Sequence, residues 1–149
     1  IWANLAILAL VTGLSLLIGF KNYILIQLPI IWLAGMAGIW LFYIQHQFET
    51  VYWARKENWN YVASAFQGAS YYKLPGVLQW FSGNIGFHHI HHLNPSVPNY
   101  QLEKAYHSAE ILRQSPTLNI RQSLRCVKLT LFDEKAGKMV GFRQACRPN

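Results

Sequence analysis

The sequence has 149 residues, 52% of them hydrophobic and only 13% charged, with a formal net charge of +7. The length suits one soluble domain, but the composition is shared unevenly along the chain, and the average conceals a membrane protein. The positive charge does not point to nucleic acid, because no basic helix, recognition motif or alternating basic and aromatic strand accompanies it; anionic lipid headgroups are the expected counter-surface.

Ile1 to Phe20 contains no charged residue, and after Lys21-Asn22-Tyr23 the stretch from Ile24 to Tyr43 contains none either. Each is about 20 residues, or about 30 Å as a helix, which matches the hydrocarbon core of a bilayer. Joined by the short link, the two spans (1–20 and 24–43) are expected to form an antiparallel transmembrane hairpin. A pair of buried helices in a soluble bundle is the weaker reading, since the remaining chain cannot cover both on every side. A signal sequence is not indicated, because a basic n-region and a small-residue cleavage site are both missing. With no initiator Met, the sequence is expected to be a C-terminal fragment. Twelve of the 13 Lys and Arg follow the second span, with Arg55 and Lys56 nearest to it, so the C-terminal region is expected on the cytoplasmic side.

Beyond the hairpin, Gln45 to Arg55 reads as continuing helix, with His46 near the cytoplasmic surface. The stretch from Tyr52 to Phe81 is rich in Trp, Tyr and Phe, as expected of a chain lying along the headgroup layer, although some of these rings can fill an ordinary core. Asn60 to Gly68 predicts a short helix, Lys73 to Gly76 a break, and Val77 to Leu93 a helix that carries most of the histidines. Asn94-Pro95 and Val97-Pro98 end it, since the residue before each Pro is pushed to extended geometry. Asn99 is placed to cap a helix running to about Arg113, Ser115-Pro116 breaks it, and a short helix from about Asn119 to Arg125 follows. Lys128–Leu131 and Lys138–Phe142, around Asp133–Gly137, predict a small β-hairpin. The fold class is therefore a mainly α membrane protein: a transmembrane helical hairpin (1–43), a cytoplasmic or interfacial helical cap bearing the histidines (44–113), and a peripheral tail with the β-hairpin (114–149).

The chemistry lies in Gly83-Asn84-Ile85-Gly86-Phe87-His88-His89-Ile90-His91-His92, where four of the six histidines fall within five residues. On a helix, about 100° of turn per residue puts His88, His91 and His92 within an arc of roughly 100°, with Asn84 one turn back and His89 outside. Converging imidazoles suit iron, zinc, copper and nickel alike, so the cluster indicates a metal without naming it. A satisfied core histidine or a solvated tract is less favoured, because the cluster sits among Trp80, Phe81, Ile85, Phe87 and Leu93, and desolvated imidazoles need partners. His46 is a fourth candidate ligand. Glu49, three residues on, is placed either to accept its N–H or to pair on the surface with Arg55 or Lys56, and both readings stand. Cys126 and Cys146 have no metal-type spacing and are expected to be reduced thiols without a function.

His88-x-x-His91-His92 and the Gly83–Phe87 segment leading into it resemble the last histidine box of the membrane fatty acid desaturases. The resemblance is more narrowly to their acyl-lipid, delta-12/omega-6-like branch, and Gln45-His46-Gln47-Phe48-Glu49, Tyr72-Lys73-Leu74-Pro75 with Leu78-Gln79-Trp80, Asn94-Pro95 and Pro98-Asn99-Tyr100 support it further. The resemblance covers nearly the whole chain. It implies a centre of two iron ions at the cytoplasmic ends of the membrane helices, with His46, His88, His91 and His92 as ligands. Asn84 is implied as an outer or water-mediated ligand, and His89, at the variable position of the box, as a second-sphere or packing residue. The family's first two boxes, of the HxxxH and HxxHH types, do not occur here, so the chain is expected to be inactive alone. The implied reaction forms a cis double bond in an acyl chain using O2 and two electrons from ferredoxin or cytochrome b5. Because methylene hydrogens are not acidic, a metal-borne oxidant rather than a general base or serine nucleophile is required. Hydroxylation, acetylenation or carotenoid oxygenation on the same metal architecture is the alternative, as is a non-catalytic metal-binding membrane fragment.

Overall fold

The computed structural model describes residues 1–146, so the last three residues of the expected tail lie outside the described residues. The chain divides into two compact units, Ile1–Trp40 and Leu41–Asn149.

The first unit contains α1 (Trp2–Ile18) and most of α2 (Phe20–His46). The break between the helices falls at Gly19 rather than at Lys21-Asn22-Tyr23, which form the opening turn of α2. Gly19 has φ +85°, a conformation that costs glycine little, and the Asn22 side chain donates to the Ile18 carbonyl, one of the acceptors that the end of α1 leaves unpaired. By length and composition α2 is the helix able to cross a membrane, and its apolar window is fully uncovered by protein. α1, at 17 residues, is apolar but shorter.

The second unit is built around the end of α2. Ile44, Gln45 and Phe48 are buried there with Ala65, Ala69 and Tyr72. The helix stops at His46 instead of running to Arg55, because the next residues turn so that Phe48 is buried and the Tyr52 N–H reaches the Gln67 carbonyl at 2.9 Å. α3 (Tyr61–Gln67) begins at Asn60, whose side chain accepts from the Ala63 N–H, and packs along α5 (His88–Leu93). Between them lie β1 (Tyr71–Lys73) and α4 (Gly76–Phe81).

The single helix expected from Val77 to Leu93 is broken in the middle. Gly83 and Asn84 both take left-handed backbone, φ +63° and +59°, and a tight turn at Ile85–Phe87 leads into α5. Asn84 tolerates this conformation, and its side chain donates to the Asn99 carbonyl at 3.1 Å. The helix expected from Asn99 to Arg113 is likewise in pieces: a turn at Asn99–Gln101, α6 (Leu102–Ser108), and a turn at Ile111–Arg113. A second core forms where Phe87, Ile90 and Leu102 meet Tyr71, Val97, Ala105 and Tyr106.

The C-terminal segment is not peripheral. β2 (Thr117–Asn119) pairs in parallel with β1, Tyr71 opposite Thr117 and Lys73 opposite Asn119. Asn119 and Gln122 form a reciprocal capping box at the start of α7 (Ile120–Cys126), and the Ser123 hydroxyl meets that of buried Tyr72 at 3.1 Å. β3 (Leu131–Asp133) and β4 (Lys138–Val140) make the expected antiparallel hairpin, with narrower bounds, followed by α8 (Phe142–Ala145). Met139 and Val140 are buried, and the Met139 N–H binds the Glu49 carbonyl at 2.9 Å. The hairpin is thus fastened to the segment that follows α2.

Candidate metal centre

His88 and His92 stand four residues apart on α5, one above the other on the same face, with Nε2 atoms 3.1 Å apart. His46 is brought to them by the residue before it. Gln45 is buried, its side-chain amide donates to the Ile85 carbonyl at 2.7 Å, and its own carbonyl accepts from the Ser70 N–H at 3.0 Å. These bonds tie the end of α2 to the turn entering α5, and the Phe42 ring steadies the His46 imidazole edge-on at 4.8 Å. His46 Nε2 then lies 3.3 Å from that of His88 and 3.2 Å from that of His92.

Three mutually close ring nitrogens cannot satisfy one another. In a neutral imidazole each Nε2 either donates or accepts, so at least two of three must share a role and repel. A cation removes the conflict by letting all three accept. Nitrogens about 2.1 Å from one ion stand about 3.0 Å apart at right angles and about 3.4 Å apart at tetrahedral angles. The observed spacings of 3.1–3.3 Å fall between these, so His46, His88 and His92 fit a single ion bound through nitrogen. Electrostatics favour the ligating form. Burial first, then the surrounding His92, His46, His91 and His89 imidazoles, pushes His88 down to about 3, and burial followed by His91 lowers His92. The Nδ1 atoms of His46 and His88 are buried and have no partner among the described residues. A cavity of about 310 Å³ opens beside His46 and His92, walled by Gln47, Tyr52, Trp53 and Phe132.

His91 is not brought into the triad; its ring stacks on that of His88 with centroids 5.7 Å apart. His89 points away, fully buried, with Nε2 2.9 Å from the Leu112 carbonyl, and burial pushes it down to about 4 despite that bond. Its place among Phe66, Tyr71 and Tyr106 makes it a packing residue. Asn84 takes left-handed backbone and donates its side-chain amide to the Asn99 carbonyl at 3.1 Å. Glu49 does not touch His46: past the end of α2 it is exposed, and its carboxylate takes Lys138 at 3.2 Å rather than Arg55 or Lys56. Gln45 is the positioning residue that sequence reasoning passed over; a lone amide closing an apolar helix was its signal.

The sequence profile of the fatty acid desaturase family matches residues 1–122, a range holding α1, α2 and all four histidines considered as ligands. Over 140 residues, 94% of its length, the chain is 48% identical to a protein of Bacillus subtilis (strain 168) described as a fatty acid desaturase. The chain spans about 40% of the length of that relative. No solved structure matches. With the profile covering the triad and the helix that delivers His46, the chain belongs to the fatty acid desaturase family.

Proposed function

We propose that the chain supplies part of the iron centre of a membrane acyl-lipid desaturase, an oxidoreductase that removes two hydrogens from neighbouring methylenes and leaves a cis double bond. The observation that carries this reading is the convergence of three Nε2 atoms, on the end of an apolar helix and on α5, into a spacing that fits a shared cation. Bound iron supplies, with O2 and two electrons, the oxidising power that unactivated C–H bonds require.

The residues of this chain hold and orient that centre. His46, His88 and His92 keep one iron, and His91, beside His88 but outside the triad, is assigned to the second. Two irons need more donors than these four histidines, so the remaining ligands come from outside the 149 residues. Gln45 fixes the approach of His46, and His89 locks α5 to the Leu112 segment. α1 and α2 are assigned to a multi-pass membrane protein with the histidines on the cytoplasmic side, the side favoured by the basic residues after α2. Ferredoxin or cytochrome b5 is the proposed electron donor. The Tyr72–Pro75 and Gly83–Phe87 flanks are the basis for placing it in the acyl-lipid, delta-12/omega-6-like branch.

The test is lipid analysis of a host expressing the complete protein. New cis-unsaturated chains are expected, lost together with bound iron on His88→Ala or His92→Ala. Undiminished product from either variant would overturn the reading.

A further inference from the structure

A second concave site lies away from the histidines, where the loop after α7 faces the start of α8. The cleft has a volume of about 840 Å³, and its walls include Arg125, Lys128 and Arg143 together with Val127, Leu129 and Phe142. Among the described residues no acidic side chain lines it. Among the described residues none of these three cations has an ion-pair partner, whereas Arg55 and Lys138 are both paired. Phe142 is 61% exposed and Val127 52%, so the cationic walls stand beside uncovered apolar surface. Cations flanking exposed apolar side chains suit the boundary between headgroups and acyl chains.

The position of the cleft points the same way. The Tyr43 hydroxyl donates to the Leu129 carbonyl at 2.8 Å and lies 3.5 Å from that of Cys126, which fastens the cleft's wall to the last turn of α2. α2 has 27 residues, and a helix of that length is about 40 Å long against a hydrocarbon core of about 30 Å, so its end turns emerge among headgroups.

We propose that this cleft binds the headgroup of an anionic phospholipid, with Arg125, Lys128 and Arg143 around the phosphodiester and Val127 and Phe142 against the glycerol and upper acyl carbons. The assignment rests on the membrane placement of α2 and is independent of the metal chemistry. An acidic protein surface would match the charges but leave the apolar wall unused, and free phosphate has no use for it either.

The test is titration of the purified chain, in neutral detergent, with short-chain phosphatidylglycerol or phosphatidylcholine. Phosphatidylglycerol is expected to bind at least about tenfold tighter, and Arg125→Gln/Lys128→Gln/Arg143→Gln to weaken it on the order of a hundredfold, as follows from roughly a fivefold contribution per basic residue near an anionic surface. An unchanged circular dichroism spectrum and melting transition of that variant shows that it is folded. Lys104→Gln/Arg113→Gln/Lys135→Gln, which removes the same charge outside the cleft, is expected to bind phosphatidylglycerol normally. Equal binding of the two lipids, retention by the cleft variant, or equal loss in the charge-matched control would overturn the proposal. So would displacement by millimolar inorganic phosphate, which would make the site one for a soluble phosphate. Binding of poly-glutamate as tightly as phosphatidylglycerol would make it a docking face for an acidic protein instead.

Discussion

His92 Nε2 stands 3.2 Å from His46 Nε2 across 46 residues of chain. Nothing in α5 alone produces that contact; it depends on α2 ending at His46 and on the Gln45 amide reaching the Ile85 carbonyl. The ends of two helices are thereby joined through ring nitrogens that cannot all be satisfied by one another. In the proposed metal site, metal binding and the folding of this corner are expected to be linked.

That linkage gives the first prediction. Co2+ or Fe2+ at about a hundred times its dissociation constant is expected to stabilise the chain by about 2.7 kcal/mol, and a chelator to reverse the gain. His46→Ala, His88→Ala or His92→Ala is expected to cost more affinity than the about 10–100-fold typical of residues that only support a ligand. Because His92 is exposed and its removal ends a forced contact, metal-free His92→Ala is expected to melt within about 0.5 kcal/mol of the parent. Metal titrations followed by thermal unfolding measure both, and a triad variant that binds as the parent does contradicts the site.

His89, which helical spacing already sets outside the arc shared by His88, His91 and His92, differs from its neighbours in the structure as well. It is fully buried and bonded to Leu112. His89→Leu leaves the Leu112 carbonyl unpaired and is expected to destabilise by about 1–3 kcal/mol while metal affinity changes no more than a few-fold. A large loss of metal binding without loss of stability would show that His89 is a ligand.

Gly86 lies where a side chain has no room. A Cβ there would collide with the Tyr72 backbone carbonyl and stand 2.6 and 2.7 Å from the Gln79 amide atoms. Gln79 can turn, but the Tyr72 carbonyl belongs to β1 and cannot without disturbing its pairing with β2. Gly86→Ala is expected to cost about 1–3 kcal/mol and to weaken metal binding by displacing His88, two residues on. An unchanged melting temperature would show that the turn has slack.

Which parts of this were legible in the sequence follows from how far each determinant reaches. The pairing of His88 with His92 needs only helical spacing, and the capping box at Asn119 needs only three residues, so both could be read locally. The break at Gly83-Asn84 could not, because the left-handed Asn84 is held by a carbonyl 15 residues away. Glu49 finds its cation 89 residues downstream, beyond any local rule. β1 and β2 have three residues each, too short for a period of two to show, and a parallel pair leaves no turn signature between its strands. For the same reason the C-terminal segment read as peripheral, although its pairing with β1 and the Met139 bond to Glu49 build it into the unit. The boundary between α1 and α2 was missed by a few residues, since charge marked Lys21 while backbone freedom marked Gly19.

The last prediction concerns stoichiometry. Three Nε2 atoms share one volume and His91 lies outside it, so the 149-residue chain is expected to bind a single metal ion through nitrogen. Two irons need more donors than these residues offer, and the about 310 Å³ cavity beside the triad is at the small end for a ligand pocket, whose volumes run from about 300 Å³ upwards. Supplied with iron, O2, a reductant and lipid, the chain alone is therefore expected to form no unsaturated product. Iron analysis of the purified chain and gas chromatography of its lipid test this together. One iron and no product is the expected result, whereas two tightly bound irons or turnover would show that these residues complete the centre by themselves, with His91 drawn in as a further ligand.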